Sequence, residues 1–374
     1  MFLGKHLVSN ECYFRNINRF VAYRLLPAMS VAPRVSPLRP QPAVGPPAGN
    51  EAGEAEPPTL KRNAGQAFDR DAITDIRINF AAVERRVASL PGRRSVKKEA
   101  QAAWLLKAVT CIDLSALMGD DTSERVRRLC AKARRPVAPE LLAALGMGDR
   151  SITAGAVCVY HRYVATAVEA LLGSGIPVAA VATGFPAGLI SHDLKLREIE
   201  ASVRDGAREI DIVITREHVL AGRWPALYDE VRDFRGACGE AHMKTILATG
   251  ELKTLRNVAK ASMVCMMAGA DFVKTSTGKE AVNATPAVSL VMLRMIRDYH
   301  QRTGARVGFK PAGGISTAND VLHYQVLMKE ELGRPWLEPE LFRIGASSLL
   351  ADIERQLEHH VTGRYSAFNR HGVA

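Results

Sequence analysis

Ala270-Asp271-Phe272-Val273-Lys274-Thr275-Ser276-Thr277-Gly278-Lys279 begins as a short apolar, β-prone run and ends in a turn of small residues. It reads as a strand that feeds a loop. Successive side chains on a strand alternate faces, which puts Phe272, Lys274 and Ser276 on one side and Val273 and Thr275 on the other. A lysine in the middle of such a strand has two readings. Either a carboxylate holds it as a structural ion pair, or burial disfavours its charged form and leaves a neutral amine, a nucleophile toward carbonyls. This stretch alone does not decide between them.

Val307-Gly308-Phe309-Lys310-Pro311-Ala312-Gly313-Gly314 has the same design: a short strand, a lysine between apolar neighbours, then a glycine turn. Two lysines facing one poorly solvated cavity are expected to depress each other's pKa, because double protonation is disfavoured. The pair points to an amine kept neutral for carbonyl chemistry with an ammonium beside it.

The segments DFVKTSTGK (271–279), GFKPAGG (308–314) and FRIGASSLL (342–350) resemble the signatures of the deoxyribose-phosphate aldolases, class I aldolases that work through a lysine Schiff base on a TIM barrel. The resemblance runs from about residue 71 to about residue 365 and is closest to the animal-type branch, as in RRSVKKEAQAAWLLKAV (93–109). It implies reversible cleavage of 2-deoxy-D-ribose 5-phosphate to D-glyceraldehyde 3-phosphate and acetaldehyde, with no cofactor and no metal. Lys274 would form the imine, Lys310 would be the cationic partner that keeps it neutral and assists proton transfers as donor and acceptor, and Asp211 the general acid/base. Asp113 and Ser115 match the family's Asp-Leu-Thr-Thr-Leu segment, here Asp-Leu-Ser-Ala-Leu, and would orient the network. Cys158 would be a pocket wall.

The substrate's phosphate is expected where glycine loops offer backbone N–H groups beyond strands seven and eight. Gly278, Lys279, Gly313, Gly314, Gly345, Ser347 and Ser348 match the family's positions, and Ser347 and Ser348 would open the last helix. Gly278-Lys279 is not a P-loop, because Glu280 stands where Ser or Thr is required and Val273 where the first glycine is. Several positions depart from the family pattern. His161 replaces a common proline, and Ser316 stands where many members carry arginine. Tyr365 is the nearest candidate for the tyrosine that ends bacterial members. Lys244 falls early in its strand and reads as structural.

The remaining chain repeats strand, loop and helix. Short apolar strands are expected at 109–115, 156–161, 178–184, 209–214, 243–249, 272–277, 307–312 and 342–346. Asp121 with Glu124 and Thr317 with Asp320 read as capping boxes, and Thr285 as a cap before a first-turn proline. This is the rhythm of a (β/α)8 TIM barrel, here at about 105–365 within a single domain at 66–374, preceded by a helical extension that would pack Trp104 and its leucines toward the barrel floor. A doubly wound open sheet would want a glycine-rich dinucleotide loop after an early strand, and none is present. On five strands a polar or reactive residue shares one face while the opposite face is largely apolar: Asp113, Cys158, Asp211, Lys274 (between Val273 and Thr275) and Lys310.

Composition sets the outer limits. A chain of 374 residues, 47% hydrophobic and 24% charged, reads as soluble and globular, with no stretch apolar enough to span a bilayer. Six scattered cysteines without a CxxC pair argue for a reducing compartment and against a zinc module. Of the net charge of +11, +5 falls on residues 1–50, where six Arg or Lys face one acid. The excess suits a phosphorylated sugar. Specific nucleic-acid binding would want a basic stripe with interleaved aromatics, which is missing. Residues 1–65 read as a tail: 1–28 is acid-poor and transit-peptide-like, or lies upstream of a start at Met29, and 31–60 holds eight of nineteen prolines. The expected location is cytoplasmic, with mitochondrial targeting as the alternative, and a homo-oligomer is left open. The competing functions are a non-catalytic barrel used as a scaffold or RNA-associated protein, and a phosphate-binding isomerase. The latter would lean on a Glu/His pair in place of a lysine.

Overall fold

The computed structural model describes residues 62–93, 96–367 and 370–372; of the tail expected at 1–65, residues 1–61 lie outside the described residues, while 62–65 are part of the barrel unit. Among the described residues four helices precede the first strand: α1 (Arg70–Thr74), α2 (Phe80–Ala88), α3 (Leu90–Arg93) and α4 (Lys98–Val109). Asp69 and Asn79 cap α1 and α2 by accepting from the N–H groups of Ala72 and Ala82. The chain is already tied to the barrel at Asn63. Its side-chain amide donates to the carbonyls of Met266 and Ala270, and its N–H donates to Asp271.

Strands and helices then alternate: β1 (Asp113–Ala116), α5 (Ser123–Arg134), α6 (Pro139–Ala144), β2 (Ala156–Tyr160), α7 (Val164–Ala170), β3 (Val178–Ala182), α8 (His192–Arg204), β4 (Glu209–Val213), α9 (Arg216–Leu220), α10 (Trp224–Cys238) and β5 (His242–Ile246). They continue with α11 (Leu255–Met267), β6 (Phe272–Lys274), α12 (Pro286–Thr303), β7 (Gly308–Lys310), α13 (Ala318–Leu332) and α14 (Ser348–Thr362). All seven strands pair in parallel, each with the next in sequence.

The eighth expected strand, at 342–346, is present as a bridged segment. Phe309 bridges Phe342, Ala312 bridges Gly345, and Ile112 bridges Ile344. Through these bridges 342–345 joins β7 to β1 and closes the cylinder. The Arg343 N–H donates to Phe309 O at 3.1 Å, and the Asp113 N–H donates to Ile344 O at 2.9 Å. Gly308 is required by space. A Cβ there would overlap the Phe272 ring, whose Cζ lies 2.6 Å from the Cβ position, so the strand must be bare for the ring to fill the interior.

Several expected strands are shorter in the structure, as at 243–249, where the strand is His242–Ile246, and at 272–277, where it is Phe272–Lys274, and two helix ends also differ from the sequence reading. Residues through Val109 finish α4 and the strand begins at Asp113, because Trp104, Leu105, Leu106 and Val109 are buried on a helix that packs against α13 and α14. Gln325 of α13 donates to the Trp104 carbonyl at 3.0 Å. The cap of α5 is Thr122, which accepts from Arg125 N–H, while Asp121 turns back into its loop to accept from Met118 N–H. The other two signals hold: Thr285 caps α12 ahead of Pro286, and Thr317 with Asp320 forms a capping box on α13. Among the described residues no helix is long and apolar enough to cross a membrane.

Candidate active site

Strand alternation turns Asp113, Cys158, Asp211, Lys274 and Lys310 to the inside of the barrel, where the charged side chains converge although the register sets Lys274 and Lys310 two residues past Asp211. Lys274 pairs with Lys310 across β6 and β7, and Asp211 pairs with Lys244 across β4 and β5. Asp211 lies at the centre. Its Oδ2 accepts from Lys274 Nζ at 2.7 Å and from Lys310 Nζ at 2.7 Å, while its Oδ1 accepts from Lys244 Nζ at 3.0 Å. Lys310 also reaches Asp113 Oδ2 at 2.5 Å. Beneath them Lys244 meets Glu209 at 2.5 Å, and Arg343 of the closing segment forks between Asp113 Oδ1 at 2.8 Å and Glu209 Oε1 at 2.7 Å.

No member of this set is more than 6% exposed, so its ionisation is decided by partners. Burial is the largest influence on Lys274 and lowers its pKa. Lys310 pushes the same way, Asp211 opposes, and the net is below the ordinary lysine value. Burial pushes Lys310 down too, but Asp113 and Asp211 outweigh it and raise its pKa. The mutual depression expected of the two lysines is therefore one-sided, because Lys310 has two acids and Lys274 shares one. Asp211 is penalised by burial, yet Lys244, Lys274 and Lys310 hold its carboxyl well below the usual range. Asp113 is held low in the same way by Lys310 and Arg343. Burial, with Asp211 adding, pushes the Cys158 thiol up to about 11, so it is a neutral wall at physiological pH. It packs among Ala179, Val181, Phe185, Val213 and Ile246.

The residues expected around the phosphate gather at the mouth, where they divide into two groups. Gly313 and Gly345 use their N–H groups to close the barrel, donating to Gly345 O and Pro311 O. Ser347 Oγ accepts from Ser115 N–H at 2.7 Å and donates to Ser115 O at 3.2 Å, which clasps β1 to the start of α14. These three shape the seam. Gly278 and Gly314 adopt the left-handed backbone that glycine permits, at φ 85° and 76°. Ser348 opens the fifteen-residue α14, whose positive end faces the mouth. Lys279 extends across the opening to Met118 Sδ at 3.0 Å. Glu280, read in the sequence only as the residue that rules out a P-loop, accepts from the N–H groups of Thr277 and Gly278 and so sets the β6 loop.

Ser115 Oγ donates to its own strand's Asp113 carbonyl at 3.2 Å, not to the carboxylate, so its link to the network runs through the backbone. His161 turns to Ser202 of α8, and exposed Ser316 donates its N–H to Asp320. Tyr365 stacks on His359 with centroids 4.1 Å apart beyond the far end of α14, about 22 Å of helix from the mouth. The sequence reading missed Glu209 and Arg343 and set Lys244 aside. A parity signal existed for Glu209, two residues before Asp211, but nothing local marks Arg343.

The profile of the DeoC/LacD family aldolases matches residues 107–354. A human protein named deoxyribose-phosphate aldolase is 61% identical over 309 residues, covering 82% of this chain and 97% of that protein. The mouse protein of the same name is 62% identical over 307 residues, covering 82% of this chain and 96% of that one. A structure described as a unique tetrameric deoxyribose phosphate aldolase from Aeropyrum pernix superposes with a TM-score of 0.51 at 20% identity. It covers 75% of this chain and 99% of that one, which bears on the fold alone.

Proposed function

The chain belongs to the DeoC/LacD family of aldolases, and from that premise we propose how its buried charges divide the work. Its activity is that of a deoxyribose-phosphate aldolase, the reversible cleavage of 2-deoxy-D-ribose 5-phosphate to D-glyceraldehyde 3-phosphate and acetaldehyde through a lysine Schiff base. One observation carries the assignment of roles. Inside the barrel four bases (Lys244, Lys274, Lys310 and Arg343) meet three acids (Asp113, Glu209 and Asp211), so one base is surplus. Lys274 has the weakest claim on a partner, since the one carboxylate it touches is also held by two other lysines.

Neutral Lys274 attacks the C1 aldehyde of the sugar, and the carbinolamine takes up one proton from solvent as it loses water, giving a protonated imine, the electron sink for carbon–carbon cleavage. Asp211 is ionised at neutral pH and is the acceptor for the C3 hydroxyl proton as the C2–C3 bond breaks and glyceraldehyde 3-phosphate leaves. The same proton returns to C2 of the enamine, and hydrolysis of the resulting imine releases acetaldehyde and restores Lys274. Lys310 stays an ammonium throughout and donates hydrogen bonds to Asp211 and Asp113, holding Asp211 where it serves both steps. Asp113 keeps Lys310 charged. Reductive trapping on Lys274 is the test of this reading, and its outcome opens the Discussion.

The phosphate is assigned to Gly278, Lys279, Gly314 and the first turn of α14 at Ser348, with Gly313, Gly345 and Ser347 shaping the cradle around them. Ser348→Asp sets a carboxylate at that helix end, and like-charge repulsion at a few ångströms is worth about 1–4 kcal/mol. The variant is expected to lose on the order of 10- to 100-fold in kcat/KM for the phosphorylated sugar and much less for 2-deoxyribose. Steady-state kinetics on both sugars reads the difference, and equal losses would move the phosphate elsewhere.

Self-association is proposed on the tetrameric Aeropyrum pernix relative, and light scattering of the purified protein reads it. Cytoplasmic residence is proposed on the five described cysteines, all free, and cell fractionation checks it.

A further inference from the structure

Six of the seven charges inside the barrel form a closed ring of alternating sign. Lys310 binds Asp113, Asp113 binds Arg343, Arg343 binds Glu209, Glu209 binds Lys244, Lys244 binds Asp211, and Asp211 returns to Lys310. Each acid in it lies between two bases and each base between two acids. The ring crosses the barrel through β7, β1, the closing segment 342–345, β4 and β5. Lys274 stands outside it, attached only at Asp211 Oδ2. We propose that Lys244, Glu209 and Arg343, one layer below the reacting amine, are positioning residues that make this ring neutral in itself and so leave Lys274 as the base without an acid of its own.

The inference rests on the reading of Lys274 as the imine-forming residue and adds what makes it so. A neutral ring gives the Lys274 ammonium no net countercharge, and at 3% exposure water supplies little. Removing one ring base frees an acid that Lys274 can serve as a cation. Removing one ring acid adds a surplus positive charge and repels a proton from Lys274. Removing one of each restores the balance. The other titratable groups near Lys274 do not disturb this count. Cys158 on β2 is a neutral thiol, and His242 at the foot of β5, beside Glu209 and Lys244, is pushed below its ordinary value by burial and is neutral at pH 7.

A purely structural ring makes a different prediction, because breaking it anywhere would cost stability and activity without regard to sign. The experiment is the pH at which acetaldehyde with cyanoborohydride half-labels Lys274 in a fixed time, with the label located by peptide mapping. Lys244→Met is expected to move that midpoint up by about one unit or more, and Glu209→Gln to move it down. The double variant is expected to return it close to the wild-type value. Thermal melting is followed in parallel, and if Lys244→Met does not fold, Glu209→Gln against the double variant carries the comparison. Midpoints that stay put, or shifts of the same sign in both single variants, overturn the ring's role while leaving Lys274 as nucleophile. A wild-type label on another residue overturns both.

Discussion

Lys274→Met is expected to abolish turnover, with a loss on the order of 10⁴-fold or more, the scale on which removal of a covalent nucleophile acts. The wild-type protein treated with acetaldehyde and borohydride is expected to gain one ethyl group on Lys274 and to lose its activity in proportion to the label. The Met variant is expected to gain none there. The substitution fits the site, since methionine follows the lysine stem and removes only the amine from a position that is 3% exposed. Asp211 keeps its bonds from Lys244 and Lys310, so the ring stays whole and the melting temperature should change little. Label recovered from another lysine in the wild type would end the assignment. Substantial activity in the Met variant would do the same.

Removing Lys310 is expected to act through Lys274. Lys310→Met leaves Asp113 with Arg343 alone and returns half of Asp211 Oδ2 to Lys274. The repulsion that helps lower the Lys274 pKa disappears while the attraction that raises it grows, so that pKa moves up. A raised lysine pKa means less neutral amine at any given pH. The rising, acid-side limb of the pH–rate profile therefore shifts to higher pH. At neutral pH the loss should be about 10²–10⁴-fold, the range over which a positioned proton donor or acceptor contributes, and part of it should return as the pH is raised. A loss that is the same at every pH would mean that Lys310 acts on substrate directly and not through the charge of its neighbour.

What could be read in advance followed from local pattern. A polar residue between apolar neighbours on a short strand points into the barrel whatever the rest of the chain does, and that rule alone brought Asp113, Cys158, Asp211, Lys274 and Lys310 to one face. The helix caps at Thr285 and Thr317 are equally local. The misses are of another kind. Arg343 gains its meaning from Asp113, 230 residues away, and from Glu209, 134 residues away. Only the closure of the cylinder brings these together, and no window of sequence contains both ends. The seam bonds are equally non-local: the N–H groups of Gly313 and Gly345 donate to Gly345 O and Pro311 O, which no short window of sequence shows. The end of α4 was hidden because a run of apolar residues through Val109 suits a buried helix as well as a buried strand.

The closed ring also has a direction in time. Along the chain its acids come first, Asp113, Glu209 and Asp211, and its bases follow at Lys244, Lys310 and Arg343, with Lys274 among them. A nascent chain that has made β1 to β4 thus owns three inward carboxylates and no inward cation to meet them, and burying unpaired carboxylates is prohibitive. The first half of this barrel cannot serve as a folded platform on which the second half is laid. Its interior has to stay wet until the later strands emerge, and a fragment ending at residue 241 should show no slowly exchanging amides in β1 to β4. Arg343, supplied last, completes the pairing of Asp113 and Glu209, so the interior charges are not fully matched until the closing segment has been made.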